Sequence, residues 1–220
     1  MSAVCSRVHE LVASAPRLSF PFDPKRIPKN GIYVLFEDGE RGHGADRIVR
    51  VGTHTGAKQL PSRLRQHFIL ENKDRSIFRK NIGRALLHRD NDLFFEQWEL
   101  DLTTRAARAR HAGAVDSDKQ CLVEKRVTEY MQARFTFIVL GVEEKEERLE
   151  LESKLIATVS LCADCGPSPN WLGKHSPKRQ IREGGLWNVN ELYKTPLSVA
   201  DLKRVEGLKH QELQRSIRQS

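Results

Sequence analysis

The chain has 220 residues, a net charge of +8 at pH 7 and an isoelectric point near 9.5. Its apolar content of 39% is enough for a folded core, and no run approaches the ~18 apolar residues that a membrane-spanning helix needs. Residues 1–16 lack the basic start and apolar centre of a secretory signal, so we expect a cytoplasmic protein whose excess of basic residues suits a polyanionic partner such as nucleic acid.

The predicted elements begin with an N-terminal arm at residues 1–29. It combines a short helix near residues 8–15 with prolines that interrupt regular structure: Pro16, Pro21, Pro24 and Pro28. Two runs rich in β-formers follow at residues 31–36 and 47–52, and the polar, glycine-rich stretch between them is typical of a turn. These runs predict a hairpin with an enlarged loop.

A helix is expected after Pro61, because proline suits the first helical turn, and Leu64 and Phe68 follow at helical spacing. Next we predict a helix at 76–88, an extended segment at 93–100 and an exposed basic loop with some helix at 103–119. A helix at 121–134 should have Leu122, Val123, Val127, Tyr130 and Met131 inward. A strand at 136–142, a helix at 144–161, irregular structure at 162–195 and a polar helical tail at 198–218 complete the chain. The strand at 136–142 and the helix at 144–161 have the strongest patterns.

The helix at 144–161 carries a glutamate inside its apolar stripe. On a helical wheel, four apolar residues fall within about 60° of Glu152: Leu149, Leu155, Ile156 and Val159. A carboxylate on a buried face is costly unless it is paired or binds a metal. Glu152 is therefore a candidate metal ligand, and the alternative is a glutamate at the edge of the stripe, paired with Arg148 or another cation.

Arg63 and His67 lie four residues apart and share one face of the helix that follows Pro61. An arginine offers a planar fork for phosphate oxygens, and a neighbouring histidine can donate to a phosphate or transfer a proton. Taken alone, the pair is better explained as a solvated basic helix face.

Two further residues gain meaning from their order along the chain. Tyr33 ends the step Gly31-Ile32-Tyr33 at the start of the hairpin, and Asn170 lies in the irregular segment near the C-terminus. Each is also consistent with an ordinary role, Tyr33 as a packed strand residue and Asn170 as a turn residue.

In this order, the residues resemble the GIY-YIG nuclease family, known from homing endonucleases, excision-repair nucleases and some restriction enzymes. Residues 31–33 match the first motif, and Arg50-Val51-Gly52 is similar to the second. The family's arginine, histidine, glutamate and asparagine correspond to Arg63, His67, Glu152 and Asn170. The resemblance implies an α+β fold with a small three-stranded antiparallel sheet flanked by helices. It covers residues 30–175 with an insertion at about 90–120, and residues 176–220 form a C-terminal extension.

The second motif departs from the family at Arg50, which stands where a tyrosine is expected near the attacking water. The resemblance leaves two candidates for the local proton acceptor. His54 lies nearby in sequence and could substitute, or Tyr33 could suffice.

The resemblance implies an endonuclease that hydrolyses DNA phosphodiester bonds with one Mg²⁺ or Mn²⁺ held by Glu152. Tyr33 would orient or deprotonate the attacking water, and Arg63 would stabilise charge on the phosphoryl oxygens. His67 would hold Tyr33 or contact phosphate, and Asn170 would help to position the site. Candidate contacts to the DNA backbone are Arg79, Lys80, Arg84, the arginines of residues 105–110, Lys174, Lys178, Arg179 and Arg182.

Two other functions remain open at the level of sequence. One is a catalytically inactive nucleic-acid-binding module of the same fold, which the arginine at position 50 favours. The other is a zinc-stabilised interaction domain, because Cys162 and Cys165 have the spacing of a zinc knuckle and His175 lies downstream.

Overall fold

The computed structural model describes residues 2–218. Within this range the α-helices are α1 (Ser2–Ala13), α2 (Leu60–Phe68), α3 (Ile77–Arg89), α4 (Phe95–Glu99), α5 (Arg105–Arg110), α6 (Ser117–Arg134), α7 (Lys145–Ser160), α8 (Arg179–Gly184) and α9 (Val199–Arg218). The strands are β1 (Leu18–Ser19), β2 (Gly31–Gly42), β3 (Ala45–Gly52) and β4 (Phe135–Gly141). Short 3-10 helices occur at Pro24–Arg26, Lys73–Arg75 and Leu172–His175. None of the helices in residues 2–218 is long and apolar enough to cross a bilayer.

The strands form one antiparallel sheet in the order β1-β4-β2-β3. In the centre, Tyr33 of β2 lies opposite Val139 of β4 and Gly52 of β3. The predicted mixed fold of helices around an antiparallel sheet is confirmed, with a fourth strand in addition. This strand is the two-residue β1, which pairs Leu18 with Phe137 and is too short to be recognised from its sequence.

Helices cover both faces of the sheet, so β2 is buried on both sides. Tyr33 and Leu35 face a core built with α2, α3 and α6, whereas Ile32 and Val34 face a second core built with α1 and α7. Successive side chains of a strand point to opposite faces, and here both faces are apolar. This explains why residues 31–36 form a continuous apolar run.

The prediction of an enlarged loop within the hairpin is wrong. Both strands continue into the predicted loop, and the chain reverses at His43 and Gly44, whose φ angles of 51° and 76° are those of a tight two-residue hairpin turn. The extra residues of β2 are absorbed by register irregularities between Leu35 and Arg41. Polar residues of this stretch are buried in pairs, as when Arg47 donates to Glu40 at 2.6 Å, so polarity alone was a misleading turn signal.

The prediction of an extended segment at residues 93–100 is also wrong, because α4 occupies most of this range. Trp98 decides this local structure: its ring fits against Gly83, where a Cβ would lie 2.3 Å from the indole, and its Nε1 donates to the Lys80 carbonyl at 3.0 Å. On α6, Val123, Val127 and Met131 are buried as predicted, whereas Leu122 is 64% exposed.

The two ends of the described chain pack together on the second core. Helix α1 begins at Ser2, earlier than predicted, and buries Cys5 and Val8. Helix α9 contacts α1 and β4, and it buries Val205 completely. The predicted helical tail is therefore part of the packed structure, with more apolar contact than its composition indicates.

Candidate active site

Two adjoining cavities of about 350 Å³ and 410 Å³ form one cleft, because both are lined by Leu149 and Glu152 of α7. The first lies between α7, α2 and the segment after β3, and the second lies between α7, α3 and residues 187–191. Other polar residues that line the cleft are Thr53, His54, Gln59, Arg63, Gln66, Arg50, Asn81, Asn188, Asn190 and Glu191.

Glu152 is half-buried at the junction of the two cavities. Its Oε1 accepts a hydrogen bond of 3.0 Å from the backbone N–H of Thr53. Burial raises the pKa of the Glu152 carboxyl, Arg50 opposes that shift, and the nearby Glu191 adds to it. Within residues 2–218 no cation forms an ion pair with Glu152, so its charge is incompletely compensated.

Arg63 faces Glu152 across the first cavity. It is half-buried on α2, and its Nη1 donates to Gln66 Oε1 at 3.1 Å and to the Arg75 carbonyl at 3.2 Å. These contacts hold the guanidinium against the wall of the cleft, where it can receive an anion.

Arg50 enters the second cavity from β3. It is 7% exposed, its Nη1 donates to the Trp187 carbonyl at 2.9 Å, and its guanidinium carbon lies 4.8 Å from the centre of the Phe78 ring. Its Nε and the Nδ2 of the neighbouring Asn81 are buried donors without a partner in the described chain. Unpaired buried donors are costly, so an acceptor bound in this cavity would relieve them.

Tyr33 and His67 form a hydrogen-bonded pair inside the first core, next to the cleft. The Tyr33 hydroxyl lies 2.7 Å from His67 Nε2, and His67 Nδ1 lies 2.7 Å from Ser76 Oγ. Burial holds the pKa of His67 well below its usual range, and the charges of Arg63, Arg50 and Arg79 add to this effect. His67 is therefore neutral, and its Nε2 can accept a hydrogen bond from the Tyr33 hydroxyl.

Gly52 separates the Tyr33 hydroxyl from the cleft. A Cβ at this position would lie 2.2 Å from the hydroxyl oxygen, so the tyrosine occupies space that only a glycine leaves open. Thr53, the next residue, lines the cleft, whereas Tyr33 is completely buried.

The other two candidate residues from the sequence are placed differently. His54 lines the cleft, but both of its nitrogens contact the backbone: Nδ1 is 2.6 Å from the Gly56 carbonyl, and Nε2 is 3.3 Å from the Gly31 N–H. Asn170 is exposed and lines a separate cavity beside Glu37 and Glu40, towards the turn end of the hairpin. The structure thus brings Arg63, His54 and Glu152 to one cleft, places Tyr33 and His67 behind its wall, and leaves Asn170 outside.

Residues 4–211 match the family model of the GIY-YIG domain. The chain belongs to the GIY-YIG family. The match covers nearly the whole chain, and it makes a nuclease the class of function to be tested. Comparison with curated proteins and with solved structures finds no match.

The two GIY-YIG motifs contact each other through the sheet. The tyrosine of the first motif and the glycine of the second are register partners, Tyr33 and Gly52. Arg50, in the place of the second motif's tyrosine, is the partner of Leu35 and contacts Phe78 of the same core that contains Tyr33. The arginine therefore reaches the cleft from the same face of the sheet as Tyr33.

Sequence reasoning missed several residues of the GIY-YIG cleft. Asn188 is buried, and its side-chain amide contacts the N–H and the carbonyl of Val51 at 3.1 Å and 2.9 Å, which covers the open edge of β3. Asn188 follows a tryptophan and Asn170 precedes one, both in irregular structure, so no local signal separates them. Asn81 and Glu191 were missed because their approach to Glu152 depends on tertiary contacts.

Two of the basic residues predicted to contact DNA are wrong for that role. Arg79 is completely buried and pairs with Glu124 at 2.7 Å, and Arg84 is 6% exposed and pairs with Glu99 at 2.5 Å. Both charges are neutralised inside the protein. The other candidates on exposed positions are Arg105, Arg108, Arg110, Lys174, Lys178, Arg179 and Arg182.

Proposed function

We propose that this GIY-YIG protein is an endonuclease that hydrolyses DNA phosphodiester bonds with one divalent metal ion held at Glu152. The observation that carries the proposal is the position of Glu152: a carboxylate without an ion-pair partner, at the junction of two polar cavities, opposite Arg63 and near Arg50. One acidic and two basic groups around a single cleft are suited to a metal ion and a phosphate together.

The carboxylate fits a hard divalent cation. Burial disfavours the charged form of Glu152, and its Oε1 has one backbone donor, Thr53, so a cation at this place would offset the cost of the buried charge. Carboxylate oxygens are preferred ligands of Mg²⁺ and Mn²⁺, which keep several waters when few protein ligands are present. When bound, such an ion supplies positive charge to the leaving oxygen and an acidic water.

Arg63 and Arg50 are proposed to bind the phosphoryl oxygens. Arg63 has guanidinium nitrogens beyond the one used for Gln66 and Arg75, and Arg50 has a buried Nε without a partner. Hydrogen bonds from arginine to phosphate are charge-assisted, and they strengthen as negative charge grows on the phosphoryl oxygens. On this proposal the arginine of the second motif adds an anion contact where the family pattern has a hydroxyl.

Tyr33 is proposed to orient or deprotonate the attacking water, with His67 holding the Tyr33 hydroxyl in place. The support is the 2.7 Å contact between the Tyr33 hydroxyl and a neutral His67. The hydroxyl lies against Gly52, and Thr53, the residue after that glycine, lines the cleft.

His54 and Asn188 are proposed as positioning residues. His54 holds the start of β2 through Gly31, which leaves it no free nitrogen to act as a base. Asn188 holds β3 beside Arg50 through Val51, a role that the position of Asn170 does not support.

The alternative is a catalytically inactive nucleic-acid-binding module, favoured by the loss of the second tyrosine at Arg50. In that case the same arginines would bind phosphate. The Tyr33–His67 pair, which is completely buried, would not act on a water in the cleft. Cleavage assays separate the two functions directly.

The test is cleavage of supercoiled plasmid, branched DNA and damaged duplex with Mg²⁺ or Mn²⁺ and an EDTA control. Glu152→Gln should lower the cleavage rate at least ~100-fold, the scale for loss of one charge-stabilising group, while DNA binding is kept. Glu150→Gln is the matched control, because Glu150 is an exposed residue of the same helix.

A Glu152→Gln rate close to that of the wild type would show that the metal assignment is wrong. Wild-type protein that binds DNA but cuts none of the substrates with either metal would establish the inactive binding module instead.

A further inference from the structure

Sulfur and imidazole side chains from three distant parts of the chain meet beside the C-terminal end of α7. Helix α1 contributes Cys5 and His9, which lie one turn apart, and the hairpin turn contributes His43. The segment after α7 contributes Cys162 and Cys165, the two-residue spacing noted in the sequence. The C-terminal end of α7 is remote from Glu152: the eight residues of helix from Glu152 to Ser160 correspond to about 12 Å along the axis.

The distances within this cluster approach those of a tetrahedral zinc site. One ligand atom from each of Cys5, His9, His43 and Cys165 lies within 4.8 Å of all the others. Cys162 Sγ lies 3.3 Å from His43 Nε2, and Cys165 Sγ lies 3.4 Å from His9 Nε2. With Zn–S near 2.3 Å and Zn–N near 2.0 Å, the edge between sulfur and nitrogen of a zinc tetrahedron is about 3.5 Å.

The three thiols of the cluster are removed from solvent. Cys5, Cys165 and Cys162 are 0%, 4% and 7% exposed, whereas Cys121 on α6 is exposed and lies outside the cluster. Buried cysteines alone are ordinary core residues, but two imidazoles among three thiols form the donor set of a soft, N/S-binding metal.

The hydrogen bonds of the two histidines suit both of them as ligands through Nε2. His9 Nδ1 lies 2.9 Å from the Cys5 carbonyl, the kind of contact by which a metal-bound histidine fixes its ring, and His9 Nε2 lies 3.4 Å from Cys165 Sγ. The same Nε2 accepts a 3.2 Å hydrogen bond from the N–H of Ile48 at the open edge of β3, and a bound metal would replace this contact. His43 Nε2 lies 3.3 Å from Cys162 Sγ.

We propose that Cys5, His9, His43 and Cys165 bind one Zn²⁺ as a closed structural site, with Cys162 as a neighbouring thiol beside His43. This site is separate from the cleft and does not depend on the proposed nuclease activity. It would fasten α1 and the hairpin turn to the end of α7. It also differs from a zinc knuckle completed by His175, which is exposed and not part of the cluster.

The experiment is metal analysis of the purified full-length chain, together with replacement of the metal by Co²⁺. We expect about one zinc per chain in the wild type and in Cys121→Ser, and loss of zinc in Cys165→Ser. Because Cys165→Ser could fail to fold, the wild type also tests the site directly: bound Co²⁺ should show intense thiolate charge-transfer absorption and the visible bands of tetrahedral coordination. Glu152→Gln should keep its zinc, which separates this site from the proposed catalytic metal.

Folded wild-type protein with only traces of zinc, and without these Co²⁺ bands, would overturn the proposal. A disulfide between two of the cluster cysteines in the purified, unreduced protein would overturn it as well. The fourth ligand has its own test: His9→Gln should lose zinc and Cys162→Ser should retain it, and the reverse result would show that Cys162 is the ligand in place of His9.

Discussion

At the scale of single residues, the meeting of Tyr33 and Gly52 connects the two motifs physically. The hydroxyl of one residue fills the space that the other leaves empty, and His67 receives that hydroxyl at 2.7 Å. The glycine is required here for space, not for an unusual backbone angle, because its φ is not in the left-handed region. A side chain on Gly52 would displace Tyr33 from His67.

Gly52→Ala should therefore destabilise the protein by about 1–3 kcal/mol, the usual cost of forcing a methyl group into a filled core. It should also lower any nuclease activity, because Tyr33 leaves its partner. Urea denaturation of the two proteins measures the first effect. Gly166→Ala is the matched control, since a Cβ there meets nothing within 4 Å. Equal stabilities of Gly52→Ala and the wild type would mean that the hydroxyl is not held where the structure has it.

At the scale of secondary-structure elements, one buried ion pair joins α3 to α6. The Arg79 guanidinium donates to Glu124 at 2.7 Å and to Thr128 Oγ1 at 2.8 Å, and both ionic side chains are buried. Glu124 also accepts from the backbone N–H of Lys73. The arrangement holds α3, which carries Asn81 and begins after its N-cap residue Ser76, in a fixed position behind the cleft.

Removing one member of this pair should be far more costly than removing an exposed pair. We expect Arg79→Met to destabilise the protein by about 3–5 kcal/mol, because Glu124 would keep a buried charge without its partner. The double variant Arg79→Met/Glu124→Met should recover part of the loss. Arg179→Met, which breaks the exposed pair with Glu183 on α8, should cost no more than ~0.5 kcal/mol. Thermal and urea denaturation give the comparison, and a single variant as mild as the exposed one would contradict the buried pairing.

At the scale of the whole molecule, the net charge of +8 does not show which basic residues are free to contact a phosphate. Buried arginines such as Arg47 and Arg79 are neutralised by Glu40 and Glu124. Two exposed basic residues, Lys58 and Arg65, are adjacent in sequence to the cleft residues Gln59 and Gln66. We infer that a DNA backbone crossing the cleft would follow this side of the molecule.

The salt dependence of DNA binding tests that path. Each phosphate contact that is lost should reduce the slope of log Kobs against log salt concentration by about 0.9, so Lys58→Gln/Arg65→Gln should reduce it by up to ~1.8. The control Arg41→Gln/Arg134→Gln removes the same charge at the turn end of the hairpin, where these residues pair with Asp46 and Asp38. Equal slopes for the two double variants would exclude a path along α2.

The sequence by itself determined the parts of this protein that depend on local spacing. The apolar run of β2, the positions of α2, α3 and α7, and the candidates Tyr33, Arg63 and Glu152 all follow from patterns within a few turns or one strand. The order of those residues along the chain was sufficient to indicate the family, because each short motif contributes a residue of a particular chemical type.

Only the tertiary structure decided what depends on contacts between distant residues. The strands extend to a tight turn because Trp171 donates to the buried Glu37 and Arg47 donates to the buried Glu40. Helix α4 forms where the Trp98 ring packs against Gly83. Three other features also depend on distant contacts. Asn188 lines the cleft whereas Asn170 does not, Arg79 and Arg84 are buried, and Cys5 lies close to Cys165. Local sequence carries no record of such neighbours, since the free energy that fixes them comes from packing and pairing across the folded chain.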